Sequence, residues 1–423
     1  MKGTVQCIDS DILDKLSLEH RYNFLNHNLF NILKPTSIEF LKQAQEFYLG
    51  FERKNNITHN EDFYDWFPEI GKAGFLTRVN RFSEVGIDYE PYGMTADFMR
   101  YLATDFFDPQ LGFGILSTVL AINPLVFHHE NNDLRLNFLK ELVTGQKVGC
   151  LCITEPKRGS DAVHMLTTCK EDDDGGFIIN GEKIYQTNGP KSDVAIVYAC
   201  LEEDNGNTMG QFLVDTSWDG WNVERVNIPW TPRLFIGKEK LTNLKVPAEY
   251  VLGEPGRGKD HLFEGLNLER LSIVFINLSE AWNALAHAII YANMRKQFGK
   301  EIIKHQGVGF PLADMWAKTM NLTLATLHIC HLIDEKREEF GVIPHKFNLS
   351  LVHMASQLKS QSAKLTERVC FKSADLMGGA GLCDNTLMSD LLGISRTWKV
   401  GGGTSQIQNH ILTSTLRQSF KHI

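Results

Sequence analysis

Cys152-Ile153-Thr154-Glu155-Pro156-Lys157-Arg158-Gly159-Ser160-Asp161 is the stretch on which the reading of this chain turns. It follows an apolar run, Val148 to Leu151, that reads as a strand. Pro156 has no N–H to offer a ladder and ends it, and Gly159 lets the backbone come close to a ligand. Thr154, Ser160 and the amides around Gly159 then put several donors on one exposed rim, as an anionic or heteroaromatic ligand requires. Taken alone, a turn of this composition is more often a plain loop than a site.

Three further stretches join it in chain order. They are Tyr185-Gln186-Thr187-Asn188-Gly189, then Arg295-Lys296-Gln297-Phe298-Gly299-Lys300 with Gln306 and Ala313-Asp314-Met315, and last Gly403-Thr404-Ser405-Gln406-Ile407. Met377-Gly378-Gly379 lies between the last two. Together they resemble the acyl-CoA dehydrogenase family, flavoenzymes that remove two hydrogens from the α and β carbons of an acyl thioester. Four ordered matches are far more specific than any one of them.

With 423 residues the chain has room for two or three domains and a large core. Its 43% hydrophobic and 22% charged residues are ordinary for a globular protein. A net charge of −8 argues against a nucleic-acid surface, and more weakly against anionic lipid. No run of 18 uncharged apolar residues occurs, so no membrane span is expected. Met1 to Leu13 carries Asp9 and Asp11 and no apolar core, which reads as neither secretory signal nor transit peptide. Eight scattered cysteines lack metal-ligand spacing and read as free, mostly buried thiols; the expected location is cytoplasmic.

In chain order, residues 1–33 read as a short helical extension and 34–146 as a helical domain. Phe40, Leu41, Ala44, Phe47 and Tyr48 share one helix face, and further helices are expected over Asp65 to Phe75, Met94 to Thr104, Gly112 to Phe127 and Asp133 to Thr144. Gly145 would cap the last. Residues 147–256 hold short Val-, Ile- and Tyr-rich runs with turns at Asp172–Gly176 and a hairpin signal at Asn180-Gly181, suggesting a small antiparallel barrel or sandwich. Residues 257–423 hold long helices (Leu266 to Met294, Leu312 to Lys336, Asn348 to Ala374) and suggest a four-helix bundle. The fold class is therefore mostly α with a central β domain, and the helix, sheet, helix order matches the three-part architecture of the family it resembles.

Dehydrogenating an unactivated Cα–Cβ pair needs a base for the α proton and a hydride acceptor for the β carbon. No side chain accepts a hydride, so a cofactor is obligatory. The resemblance implies FAD as acceptor and a glutamate as base. In the common family pattern that glutamate directly precedes Gly-Thr in the last motif; here the position is Gly402. Either the protein is inactive or the carboxylate comes from elsewhere. Glu269 is the candidate, because the isovaleryl-CoA and long-chain members carry their base at the corresponding point and a small residue where Gly402 stands. The alternative for Glu269 is a helix-start acid favoured by the dipole and paired with Arg270.

The resemblance carries cofactor contacts over residue by residue. Ile153 and Thr154 would approach the flavin, with Tyr185 beside it and Thr187 near its reactive nitrogen. Ser160 would meet the pyrophosphate or the pantetheine arm. Arg295, Phe298 and Gln306 would reach the adenosine half of FAD in a neighbouring subunit, implying a homotetramer or homodimer. Asp375, Gly379, Thr404 and Gln406 would complete the cradle, although the Asp375 position is usually glutamine and Gly393-Ile394-Ser395 replaces the common Arg-Asp-Ala. Asn267 and Arg270 would position CoA. Ile273, Ile276 and Asn277 share the Glu269 helix face, and their bulk, with Gly402 opening the other wall, points to a short, branched or cyclic acyl group.

A carrier-protein thioester is the alternative to CoA. Such an acidic partner would need a local basic patch; Lys296, Lys300 and Lys304 share a helical neighbourhood, but a solvated face is the safer reading of them. An electron-transfer flavoprotein is one possible electron acceptor and oxygen another. From a different class comes the reading of a non-catalytic protein with this fold.

Overall fold

The computed structural model describes residues 8–55, 62–76, 91–128, 132–204, 208–340, 347, 350–384 and 386–420. Seven helices come first: α1 Ser10–Lys15, α2 Leu18–Leu29, α3 Pro35–Asn55, α4 Phe67–Lys72, α5 Met94–Phe107, α6 Pro109–His128 and α7 Asn132–Val143. Seven strands follow: β1 Gly149–Cys152, β2 Thr168–Glu171, β3 Phe177–Thr187, β4 Val194–Leu201, β5 Met209–Asp215, β6 Trp221–Val226 and β7 Ile236–Val246. Then come α8 Gly258–Met294, the short strands β8 Lys296–Gln297 and β9 Lys300–Glu301, and α9 Gln306–Phe340, α10 Val352–Met377, α11 Met388–Thr397 and α12 Ser405–Phe420. The chain divides into two compact units: Met1–His59, Pro91–Gly112 and Arg270–Ile423 form one, Asn60–Glu90 and Phe113–Glu269 the other.

The second unit is built on one mixed seven-stranded sheet, ordered β1-β4-β2-β3-β7-β6 with β5 on the other edge of β4. The antiparallel pairing expected of the small barrel or sandwich is corrected to a mixed one, since β1 and β2 both run parallel to β4. Both faces of β4 are covered. Val194, Ile196, Tyr198 and Cys200 pack with Ile122, Leu125, Leu139 and Leu142 of α6 and α7, while Ala195, Val197 and Ala199 pack with Cys150, Cys152, Phe212 and Val214. A strand buried on both faces reads as a continuous apolar run, which is why Val194 to Cys200 shows no alternation.

The hairpin expected at Asn180-Gly181 is absent. β3 runs straight through it, with a register shift between Ile179 and Gly181. Gly181 serves a close approach instead: a Cβ there would stand 2.7 Å from the Cα of Thr167. The turn at Asp172 does form, closed by the Asp172 N–H to the Gly176 carbonyl at 2.8 Å. The helix expected from Asp65 is split, its first turn being a 3-10 helix, Phe63–Trp66, before α4. Gly145 ends α7 at φ +73, as expected of a capping glycine.

In the first unit α3 buries Phe40, Leu41, Ala44 and Tyr48, the face read from its periodicity. The residues read as an extension are built into that unit: Tyr22 donates to the Ala103 carbonyl (2.7 Å) and Arg21 to Asn283 Oδ1 (2.7 Å). The Lys-rich stretch after α8 is not helical. It is the β8–β9 hairpin, whose central residues Phe298 and Gly299 have φ +51 and +78, the signature of a tight primed turn. Lys296, Lys300 and Lys304 are exposed on it and just after it, Lys296 and Lys304 both pairing with Glu301. The expected start of the third long helix, Asn348, lies outside the described residues.

Windows in α6 and α8 are long and apolar enough to cross a membrane, but 83% and 89% of them are buried within the protein. They are core helices. All seven described cysteines are free, six of them buried, as expected; Cys7 lies outside the described residues.

Candidate active site

The stretch after β1 is held by side chains and amides of β3. Ile184 N–H donates to the Thr154 carbonyl at 2.9 Å and Gln186 Nε2 to the same oxygen at 3.1 Å. Lys183 Nζ donates to the Ile153 carbonyl at 3.1 Å. Opposite this seam β3 shifts register between Ile184 and Gln186, leaving Tyr185 at φ +67 and 60% exposed. A left-handed tyrosine costs on the order of 1–2 kcal/mol, so the surrounding bonds must impose it. Ile153, Thr154 and Tyr185 are thereby gathered on one platform.

Beneath it lies a buried ion pair that sequence reading did not single out. Glu155 accepts from Leu166 N–H (2.5 Å), Thr167 N–H (2.8 Å) and Lys183 Nζ (3.1 Å). Burial pushes its carboxyl up, but Lys183, the Thr167 hydroxyl and the two amides outweigh that and hold it below the usual glutamate range. Burial draws the Lys183 ammonium down, with Glu155 opposing. The glutamate of the opening motif is therefore a keystone for the loop, not a ligand. A buried lysine inside a strand is the sequence signal that could have revealed it.

Thr187 and Asn188 continue the platform. Ser117 Oγ donates to the Thr187 carbonyl at 2.7 Å. Asn188, at φ +69 and fully buried, donates to the carbonyls of Gly114 (2.9 Å) and Gly149 (3.1 Å) and accepts from the Tyr64 hydroxyl (2.7 Å). Ser160 is exposed on the turn, with Arg158, Asp161 and His164 linked beside it.

Glu269 is half-buried in α8. The helix begins at Gly258 rather than near Leu266, which places Glu269 about three turns inside. The dipole reading is thereby corrected, because that field fades after the first turn. Gly265 does not break the helix, since a lone glycine costs only about 1 kcal/mol there. The early turns are anchored in the sheet unit by Leu262 and Leu266. Burial, then the negative charges of Glu264 and Glu269, push the buried Tyr198 hydroxyl well above its ordinary range. Asn267 is buried beside it in sequence.

The other predicted residues lie in the helical unit. Arg270 and Ile273 are buried in α8. Asn277, fully buried, donates to Ser362 Oγ of α10 at 3.0 Å. Arg295 and Gln306 are exposed, and Phe298 is 93% exposed at its turn. Asp375 is exposed and pairs with Lys372 at 3.8 Å. Gly379 is exposed, and Thr404 Oγ1 caps α12 by accepting from Ile407 N–H at 3.3 Å, with Gln406 exposed next to it. Gly402 and Gly403 have φ +63 and +85. An acid at 402 would be strained there, a physical reason for a carboxylate placed elsewhere.

These surfaces suit a flavin nucleotide. In the sheet unit Gly159 is exposed on its turn and Tyr185 presents an exposed ring to a flat heterocycle, and in the helical unit Gly379 and the Phe298 ring are exposed. The family described as "Acyl-CoA dehydrogenase, middle domain" matches residues 150–231, and "Acyl-CoA dehydrogenase, C-terminal domain" matches 256–416, together more than half of the chain.

The chain belongs to the acyl-CoA dehydrogenase family.

It is similar to the caffeyl-CoA reductase–Etf complex subunit CarC of Acetobacterium woodii, 29% identical over 302 residues covering 70% of this chain and 75% of that protein. It is also similar to a mitochondrial isovaleryl-CoA dehydrogenase of Oryza sativa, 29% identical over 308 residues and 71% of each chain. Butyryl-CoA dehydrogenase from Megasphaera elsdenii shares its fold, with a TM-score of 0.81 and 23% identity over 91% of this chain and 98% of that one. As a member of that family it is an FAD-dependent oxidoreductase that acts on the CH–CH bond of an acyl thioester.

Proposed function

We propose that Glu269 takes the α proton of a short, branched or cyclic acyl-CoA, and that Ile153, Thr154, Ser160, Tyr185 and Thr187 hold the flavin side of the site. FAD, when bound, supplies the acceptor for the β hydrogen. The observation that carries the reading is the platform of Ile153, Thr154 and Tyr185 in the same unit as Glu269, in a chain whose Gly402 carries no side chain. Asn267 and Arg270 position the CoA arm, and the buried Ile273 narrows the acyl space. Arg295, Phe298, Gln306, Asp375, Gly379, Thr404 and Gln406 serve the nucleotide half of FAD. The 93% exposure of Phe298 supports a homotetramer or homodimer in which a second copy covers it. The same reading divides the chain at residues 33, 146 and 256 and places it in the cytoplasm. An electron-transfer flavoprotein takes the electrons; the CarC relative, by its name, belongs to an Etf complex.

Mixing the FAD-loaded protein with a panel of acyl thioesters and following flavin bleaching tests this. Glu269→Gln should slow bleaching by about 10²- to 10⁴-fold with FAD still bound. Unchanged bleaching in that variant removes Glu269 as base, and bleaching by no thioester at all favours a non-catalytic protein.

A further inference from the structure

We propose that Glu280 is a positioning residue for the acyl pocket, acting through Trp398 on the Gly401–Gly403 turn. The proposal rests on the reading in which Gly402 borders the acyl group, and it lies entirely within the helical unit. Glu280, in α8, is fully buried, and its Oε1 accepts from the indole Nε1 of Trp398 at 2.8 Å. Trp398 is itself fully buried and directly follows α11. Four residues later the chain reaches Gly402, at a place where the left-handed glycines supply no stiffness of their own.

The rest of the turn is tied down on its far side. Lys359 Nζ donates to the Gly403 carbonyl, and Gln408 Nε2 donates to the carbonyls of Gly402 (3.0 Å) and Gly403 (3.1 Å). Lys399 and Arg396 both pair with Glu367. Glu280 is the buried anchor of Trp398 on the segment leading into the turn, and among the described residues the other oxygen of its carboxyl has no hydrogen-bond partner. Burial pushes that carboxyl well above the glutamate range, with the Trp398 bond opposing. Burial, then the nearby Glu280, do the same to Asp105. The uncharged acid presents a carbonyl-like oxygen to the indole, so a glutamine can take its place.

Amide hydrogen exchange of residues 399–404 in the FAD-loaded protein, read by mass spectrometry, tests the anchor without reference to catalysis. Glu280→Leu and Trp398→Phe should each speed that exchange about tenfold, the scale of one lost buried hydrogen bond, while Glu280→Gln stays within about twofold of the parent. The same two variants should shift the ratio of kcat/KM between branched and straight-chain thioesters about tenfold, through KM more than kcat. Unchanged exchange in Trp398→Phe, which keeps the ring's bulk, overturns the proposal even should Glu280→Leu fail to fold. So does a Glu280→Gln variant as loose as Glu280→Leu, or a loosened turn with an unmoved selectivity ratio. Loss of the base assignment would instead appear in Glu269→Gln and leave the exchange result standing.

Discussion

Replacing Asn188 should destabilise the sheet unit more than any exposed substitution, because three separate segments close on its side chain. Its amide donates to the carbonyls of Gly114 and Gly149 at 2.9 and 3.1 Å, and its oxygen accepts from the Tyr64 hydroxyl at 2.7 Å. Asn188→Gly keeps the φ of +69 open but removes all three bonds, leaving the Gly149 carbonyl and the Tyr64 oxygen only longer contacts, with Thr118 Oγ1 and Phe235 N–H, both at 3.4 Å. At about 1 kcal/mol each, the loss is about 3 kcal/mol. Asn188→Ala loses the same bonds and adds the left-handed penalty, up to about 1 kcal/mol more once glycine's own chain entropy is set against it. Urea unfolding followed by intrinsic fluorescence measures both, and the tilt of the platform should show as weaker FAD retention. A loss below about 1 kcal/mol for Asn188→Ala would refute the reasoning, since those carbonyls would then have to find other donors.

Glu239 is buried, neither oxygen is bonded to another of the described residues, and burial, then Cys150, push its carboxyl up to about 9. With a folded value raised above the unfolded one of 4.5, its favourable contribution is complete below that pH and drains away as pH rises toward 9, at no more than about 1.4 kcal/mol per unit. Glu239→Gln should flatten that stretch of the stability-versus-pH curve; an unchanged slope from pH 5 to 9 sinks the assignment. Lys183→Met should cost about 3–5 kcal/mol by leaving the buried Glu155 charged with no counter-ion, held only by the Leu166 and Thr167 amides, and Glu155→Gln combined with it should recover much of that in thermal unfolding. Simple additivity of the two would mean that the buried pair is not coupled.

The residues proposed for the site could be named from the sequence because they lie in short, ordered motifs, and the gathering of Ile153, Thr154 and Tyr185 follows from the bonds of β3. Asn188 and Gly189, read as part of such a motif, turn out to be structural. What hid Glu155, Lys183 and Glu280 was their distance in sequence from the groups they hold: Lys183 reaches across 28 residues and Trp398 across 118. The Asn-Gly pair at 180 misled because its turn chemistry also suits a register shift within a strand, where Thr167 packs so close to Gly181 that a side chain there has no room.

Helical periodicity, glycine placement and four ordered motifs were enough, without coordinates, to establish the helix, sheet, helix order, the family and the missing acid at position 402. These are local properties, carried by neighbouring residues and their spacing. Strand direction around β4, the reach of α8 back to Gly258, the hairpin at Phe298 and the anchoring of Trp398 by Glu280 were decided only by tertiary structure. Each of those depends on burial and on hydrogen bonds between segments far apart in the chain, and such energies cannot be read from any one segment.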